Sequence, residues 1–371
     1  MKPNEMLYRN PETGVLEFAD TTHVPAKALA WQRDPMSGAI QEKPVEFASN
    51  SQLSILRIAD PVLTSLVQGF SNTSLIGDKL CTPVRMAKET GRFPAFGKEA
   101  FVIRGDLKRG IGGKVARMST QSGYVTMSLS EYALGFGVEN RELNDWAGTP
   151  DQLVNSRMLQ TTDNIALYRE YLQATLLTTY TNYASTHYAS GASKAWATTG
   201  DPIHDFDDMR DTVIKYNGRR PNKAWFNPAA WTLFKHNSAV LNRIKYGGSN
   251  IDPAMVTQQM AAALLEVDEV LVGYAVYGTP SANGSDGGAK KSALTMGYLW
   301  EKANSSCAGL CIVGTGGGIE PAFAYTWERQ NSPVVESWYD NATKSTMYDY
   351  EHFFDPAVTL NTAGAILYSI A

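Results

Sequence analysis

The sequence predicts an α+β chain of about two lobes, organised on one long helix that a long two-stranded ribbon precedes. Three observations carry that prediction. Residues 76–139 hold short β-favouring pieces around Phe93, Phe101–Ile103 and Tyr124–Leu134, with turn-rich Gly105–Gly113 between the last two. Apolar and aromatic positions then recur at helical spacing from Val154 to Leu176. Beyond residue 200, amphipathic helical stretches alternate with short apolar strands. A chain of 371 residues exceeds the usual single core, and 43% hydrophobic with 11% aromatic residues is ample for packed interiors and inconsistent with disorder.

The elements follow in order. Residues 1–50 are polar and interrupted by Pro3, Pro11, Pro25, Pro35 and Pro44, which predicts an extended arm rather than a packed element. Asp60-Pro61 opens a short apolar helix that ends near Gly69. The ribbon over 76–139 has nothing local to cover it, and an isolated two-stranded hairpin is marginal in water, so a neighbouring copy is its expected cover. From Arg85 to Arg117 it carries Arg85, Lys88, Arg92, Lys98, Arg104, Lys108, Arg109, Lys114 and Arg117 against Glu89, Glu99 and Asp106. The whole chain has a formal charge of −4, so this is a basic arm on an acidic body, and these nine cations are the candidate inter-subunit contacts. The plainer alternative is a solvated hairpin whose charges guard its edges against aggregation.

Thr149 as N-cap, Pro150 at the first position and Gln152 in capping-box position start the long helix. Val154, Met158, Ile165, Tyr168, Leu172 and Leu176 give it one buried stripe. Running to about Tyr180, it spans on the order of 45 Å. Small polar residues from Tyr183 to Gly200 mark a lobe boundary. The second lobe opens at Asp201-Pro202 with a helix burying Ile203, Phe206, Met209, Val213 and Tyr216, stopped at Asn217-Gly218. Lys223–Phe226 reads as a buried strand, and Asn227-Pro228 starts a helix through Ala229, Trp231 and Phe234. Asp252-Pro253 opens a helix to about Leu265, Glu269–Tyr277 is one strand, and Gly278–Lys291 is a flexible loop. Residues 292–328 read as strands, and the final stretch alternates aromatic and polar residues as strands that rejoin the long helix.

Signs of chemistry are thin. Gly314–Gly318 resembles a phosphate-cradling loop, but Ile319-Glu320-Pro321 opens no helix after it. Cys307 and Cys311 lack partners at metal spacing, and His23, His187, His204, His236 and His352 are scattered. Asp205, Asp207, Asp208 and Asp211 cluster at a helix start, where negative charge is stabilising in itself. No catalytic residue, cofactor or metal is expected. Charged residues make up only 19%, a shortage expected of a surface that meets other protein. The small net charge gives no general reason to adhere to nucleic acid. No apolar run approaches the ~20 residues needed to span a bilayer, and the start lacks a signal peptide's apolar stretch. Three cysteines imply no disulfide framework and fit a reducing cytoplasm.

The segment IADPVLTSLVQGF followed by LIGDKLCTPVRMAKETGRFPAFGKEAF resembles the N-terminal part of tailed-bacteriophage major capsid proteins of the Hong Kong 97-type fold. GRRPNKAWFNPAAWTLFKHNSAVLNRIKYG followed by LLEVDEVLVGYAVY is similar to that family's axial domain. The element order matches from about residue 60 onward, and residues 1–59 carry no matching motif. The resemblance implies an N-terminal arm and short helix (1–75), an extended hairpin loop (76–139), a peripheral domain with the spine helix (140–200), an axial domain (201–328) and return strands of the peripheral domain (329–371). It implies a structural subunit that forms hexamers and pentamers of an icosahedral shell around double-stranded DNA, contacted without sequence preference, in a virion assembled in the host bacterial cytoplasm. Its implied partners are further copies, a separate scaffolding protein, a portal and a decoration or cement protein, with no membrane. Some family members join a loop Lys to an Asn of another subunit with the help of a Glu. Lys98, Lys108 and Lys114 lie in the loop and Asn361 near the end, but no Glu follows Asn361 before Ala371, so no crosslink is expected. The alternatives are an encapsulin-like cellular shell protein and a cytoplasmic α/β enzyme with an unrecognised site.

Overall fold

A computed structural model describes residues 7–9, 16–18, 29–33, 40–44, 58–59, 63–64, 75–95, 108–109, 111, 113, 115, 123–146, 148–191, 194–197, 200–247, 256–280, 294–301, 306–317 and 320–370. Near the N-terminus, β1 (Leu7–Arg9), β2 (Leu16–Phe18), β3 (Leu29–Arg33) and β4 (Ile40–Pro44) form an antiparallel sheet in the order β2-β1-β3-β4. That corrects the expectation of an irregular arm. Pro44 ends β4, and Pro3, Pro11, Pro25 and Pro35 lie outside the described residues, so the proline spacing does not exclude a sheet. Of the short helix expected after Asp60, Leu63 and Thr64 are helical, and its remainder lies outside the described residues.

Next come β5 (Ile58–Ala59), α1 (Gly77–Leu80), β6 (Thr82–Met86), β7 (Thr90–Ala95), β8 (Gly123–Ser128) and β9 (Ser130–Glu139). The paired ribbon is β7 with β8, in register from Thr90↔Ser128 to Ala95↔Gly123. It is shorter than 76–139, because both flanking strands enter a larger sheet. Its root is also covered within the chain: Phe93 stacks on Trp327 at 3.9 Å, and Met127, 1% exposed, packs with Val84, Met86 and Tyr325. Phe101–Ile103 lie outside the described residues.

The long helix follows α2 (Asn140–Asp145) as α3 (Pro150–Thr178), 29 residues, or about 44 Å. Thr149 makes no side-chain cap bond; only its carbonyl accepts, from Gln152 N–H at 3.1 Å. Nor is the buried face one apolar stripe. Leu153, Val154, Met158, Ile165, Ala174 and Leu177 are buried, but so are Thr161, Thr162, Arg169, Glu170, Gln173 and Thr178, while Tyr168 is exposed. The three threonine hydroxyls donate to carbonyls one turn back at 2.7–2.9 Å, which satisfies them without partners outside the helix.

After α3 come β10 (Tyr188–Ser190), α4 (Pro202–Asn217), β11 (Lys223–Phe226), α5 (Pro228–His236), α6 (Ser238–Gly247), α7 (Gln258–Leu265), β12 (Glu269–Val272), β13 (Val276–Pro280), β14 (Leu294–Tyr298) and β15 (Cys307–Cys311). They continue into β16 (Ala324–Arg329), β17 (Val334–Asp340), β18 (Ser345–Val358) and β19 (Gly364–Tyr368). A five-stranded sheet runs β10-β19-β15-β11-β12, covered by α4, α5 and α7 around Trp225, Phe226, Phe234 and Leu310. Glu269–Tyr277 is two strands, not one: the Trp300 ring lies so close to Gly273 that a Cβ there would sit 2.3 Å from it, and the chain turns off the sheet after β12. The helix expected from Asp252 begins at Gln258 behind a Thr257 cap, while Asp252-Pro253 itself lies outside the described residues.

The larger sheet runs β5-β17-β18-β16-β6, with β9 also paired to β18. β6 joins β16 in parallel, Thr82↔Tyr325 to Met86↔Arg329, and β9 joins β18 for ten residues, Ser130↔Phe354 to Glu139↔Ser345. Both feet of the ribbon are therefore strands of one sheet. α3 packs on that sheet through Leu153, Val154, Met158 and Ile165 against Val138, Val335, Tyr350 and Phe354. Among the described residues, no helix is long and apolar enough to cross a membrane.

Candidate inter-subunit surface

Five of the nine candidate cations are described, namely Arg85, Lys88, Arg92, Lys108 and Arg109, and all are exposed; Lys98, Arg104, Lys114 and Arg117 lie outside the described residues. Strand alternation fixes the first: Val84 and Met86 turn into the core, so Arg85 between them points out. Lys88 sits in the bend between β6 and β7, and Arg92 on β7. Arg109 Nε donates to the Gly113 carbonyl at 2.6 Å, bracing the outer turn locally. Among the described residues none of the five pairs with a carboxylate, and Glu89 on the same segment is taken by Arg329 at 3.3 Å. The surface also has an apolar share: Tyr124 of the expected β-favouring stretch is 68% exposed, and Ile111 and Val115, which the sequence reading missed, offer side chains to solvent beside the charges. Ile111 and Val115 are isolated apolar residues in a Gly-rich stretch and carry no periodic signal, which is why they went unread.

Also missed was the junction beneath the ribbon. Glu170 accepts from Ile76 N–H at 3.1 Å, from Gly77 N–H at 2.7 Å and from Trp300 Nε1 at 2.8 Å. Gln173 Nε2 donates to Asp78 Oδ1 at 2.7 Å and to Thr326 Oγ1 at 2.8 Å. Arg169 reaches Asp78 at 2.8 Å with Nη2, pairs closely with Glu328 through Nη1, and lies over the Phe354 ring. His352 Nε2 stands 3.7 Å from Glu328, and its Nδ1 is 3.3 Å from the Tyr350 hydroxyl. Burial alone would raise the Glu328 carboxyl, but the His352 ring and the Arg169 guanidinium outweigh it and hold it at about 2. For Glu170 burial wins, lifting its carboxyl above the usual range against the three donated bonds. Burial works against the charge of Arg169, yet Asp78 and Glu328 secure it. The available signal was Arg169, Glu170 and Gln173 standing where an apolar stripe should continue.

The remaining candidates resolve into structure. Asp205, 4% exposed, accepts from Lys194 Nζ at 2.5 Å and Trp196 Nε1 at 2.8 Å, so it pins the preceding loop rather than serving only the helix dipole. Asp207 pairs with Arg210 at 2.8 Å, and Asp208 and Asp211 face solvent. Thr315 donates its amide and hydroxyl to Glu320 at 3.1 and 3.0 Å, so that part of the glycine-rich loop is turned onto the chain's own carboxylate. Cys81, Cys307 and Cys311 are free and buried; burial pushes all three thiols up, Cys311 to about 12. Asn361 is exposed in the turn before β19, while Lys98 and Lys114 are outside the described residues.

No family model matches the chain. It is 28% identical over 289 residues to the major capsid protein of Burkholderia phage BcepMu, covering 77% of this chain and 88% of that protein. It superposes on the crystal structure of a phage-related protein from Bordetella bronchiseptica with a TM-score of 0.65 and 25% identity, over 85% of this chain and 98% of that one. The capsid structure of cyanophage P-SCSP1u shares the fold with a TM-score of 0.51 at 11% identity, over 81% of this chain and 89% of that one. The chain thus has the Hong Kong 97-type fold and is similar in sequence to a phage major capsid protein, a likeness that supports a structural capsid role.

Proposed function

We propose that the chain is the repeating subunit of a tailed-phage head, closing as hexamers and pentamers into an icosahedral shell around double-stranded DNA. One observation supports the mechanism above all: the ribbon β7–β8 is anchored at both feet in the large sheet, the five described cations pair with no carboxylate among the described residues, and Tyr124 on β8 and, beyond it, Ile111 and Val115 are exposed. On this reading residues 76–139 are the extended loop, α3 is the spine of a peripheral domain completed by residues 329–371, residues 201–328 form the axial domain, and residues 1–75 form the arm. Each loop lies on the next copy, whose net charge is negative, and the heterologous contact repeats until the ring closes. Interfaces of this permanent kind bury more than about 2,000 Å². Charge gives register and encounter rate, and apolar contact gives most of the affinity.

The subunit is structural rather than catalytic, and the shell is assembled in the host cytoplasm with a separate scaffolding protein, a portal and a decoration protein. Lys108→Glu with Arg109→Glu tests the reading. Particle yield by sedimentation should fall at least about tenfold, while the unassembled subunit melts as the parent does. Wild-type yield from the double variant overturns it. Nucleic acid rather than protein cargo inside purified particles separates a phage head from an encapsulin-like shell.

A further inference from the structure

The ribbon springs from β6, and the chain enters β6 through residues 75–81, which one buried carboxylate holds. Both Glu170 oxygens are engaged by the amides of Ile76 and Gly77, and the same group takes the indole N–H of Trp300 from the end of the β13–β14 hairpin. One turn further along α3, Gln173 holds Asp78 to Thr326 of β16, the strand beside β6. Three parts of the molecule thus meet at the same two side chains: the lead into β6, the long helix and the second lobe.

The lead into β6 is fitted to this contact. A Cβ on Gly77 would sit 2.0 Å from Gln173 Oε1 and 2.5 Å from Glu170 Oε2, so only a residue without one lets both side chains close on the backbone. Apolar packing of the same volume would fill the space equally well, but it is non-directional. Hydrogen bonds to consecutive amides fix the orientation of the chain they hold. Fixing it within the subunit also removes part of the ordering cost that a free ribbon would meet on docking.

We propose that Glu170, with Gln173 and Gly77, is a latch that seats the lead into β6 and, through that strand, sets the direction in which the ribbon leaves the body, so that each copy presents it already aimed at its neighbour. This rests on the reading that the ribbon contacts another copy. Two variants approach the latch from opposite sides: Glu170→Gln turns one acceptor into a donor against the amides, and Gly77→Ala pushes both side chains away with no change of charge. Hydrogen exchange on the full-length unassembled protein should show the Ile76 and Gly77 amides exchanging at least about tenfold faster in both. Residues 223–226 and 307–311 should keep their protection, and electron microscopy should show closed particles giving way to open or irregular ones. Unchanged exchange at 76–77, or a rise spread evenly over the molecule, overturns the latch. Loosened amides with normal closed particles overturn its aiming role alone. Normal particles from the Lys108→Glu, Arg109→Glu protein beside defective latch variants would instead overturn the ribbon reading beneath it. If Glu170→Gln does not fold, Gly77→Ala decides by the same readouts.

Discussion

The second lobe and the seam under the ribbon are built on opposite plans. In the lobe, local residues start the helices: Asp201 Oδ1 accepts from Ile203 and His204 N–H at 3.0 and 3.4 Å, Asn227 from Ala230 at 2.9 Å and Thr257 from Met260 at 3.3 Å. The faces those helices turn inward are apolar and close on Trp225 and Phe226, both fully buried. Along α3 the decisive contacts are polar and distant in sequence: Glu170 to Gly77 across 93 residues, Gln173 to Thr326 across 153, Arg169 to Glu328 across 159. An apolar core needs only matching volume, whereas a charged junction works only when every partner is in place. The lobe's helices are started by their own neighbours, whereas the ribbon's root is held by side chains from far along the chain.

Two substitutions weigh the plans against each other. Phe226→Ala leaves a cavity among Phe206, Trp231 and Phe234 and should destabilise the unassembled subunit by about 3–5 kcal/mol in thermal or denaturant unfolding. Arg169→Met strands Glu328 in the seam and should cost about 3 kcal/mol by the same measurement. Adding Glu328→Leu to Arg169→Met should restore part of the loss, because the stranded charge goes with it. A loss under about 1 kcal/mol for Arg169→Met would place the seam with ordinary surface ion pairs and dissolve the contrast.

The same contrast explains what could be read from the sequence. β11 and α5 lie on their expected boundaries because Lys223–Phe226 and Asn227-Pro228 carry complete local signals, and α4 stops at Asn217 as expected. The long helix was legible from its period, but Arg169, Glu170 and Gln173 on its buried face were not, since their partners Asp78 and Glu328, Ile76, Gly77 and Trp300, and Thr326 are brought to them only by the fold. Proline spacing misled over residues 1–50, where it does not exclude a small sheet. For the candidate surface, charge counting found the cations, and nothing local marked Ile111 and Val115. The ribbon's expected length failed for a related reason: β6 and β9 look like hairpin arms in isolation and are claimed by β16 and β18 from the far end of the chain.

Acid should attack the seam before the lobe. The Glu328 carboxyl lies at about 2 in the fold against 4.5 as its ordinary value, so between those values the unfolded chain binds the extra proton. Its contribution, on the order of 3 kcal/mol for a shift of that size, is present above about pH 4.5 and drains as pH falls towards 2. Glu170, raised by burial, works the other way, its share falling as pH rises through the window above its unfolded value. Unfolding measured from pH 6 to 3 should therefore show a stability loss that Glu328→Gln flattens and Phe226→Ala leaves in slope unchanged. Equal slopes in Glu328→Gln and the parent would remove Glu328 as the source.

The smallest effect separates the two plans most cleanly, because it compares helix starts of like sequence. Asp201-Pro202 and Thr149-Pro150 both read as a capping residue before a first-turn proline. Asp201 caps α4 through its side chain, whereas Thr149 gives α3 only its carbonyl. Asp201→Ala should cost about 1 kcal/mol, the usual loss of a cap that satisfies helix amides. Thr149→Ala should stay within about 0.5 kcal/mol, since no side-chain bond is lost and the start of α3 is held by Leu153 and Val154 packed against the sheet. Equal costs at the two sites, in paired chemical denaturation of the unassembled subunit, would mean that α3 is set by its local sequence after all, as the lobe's helices are.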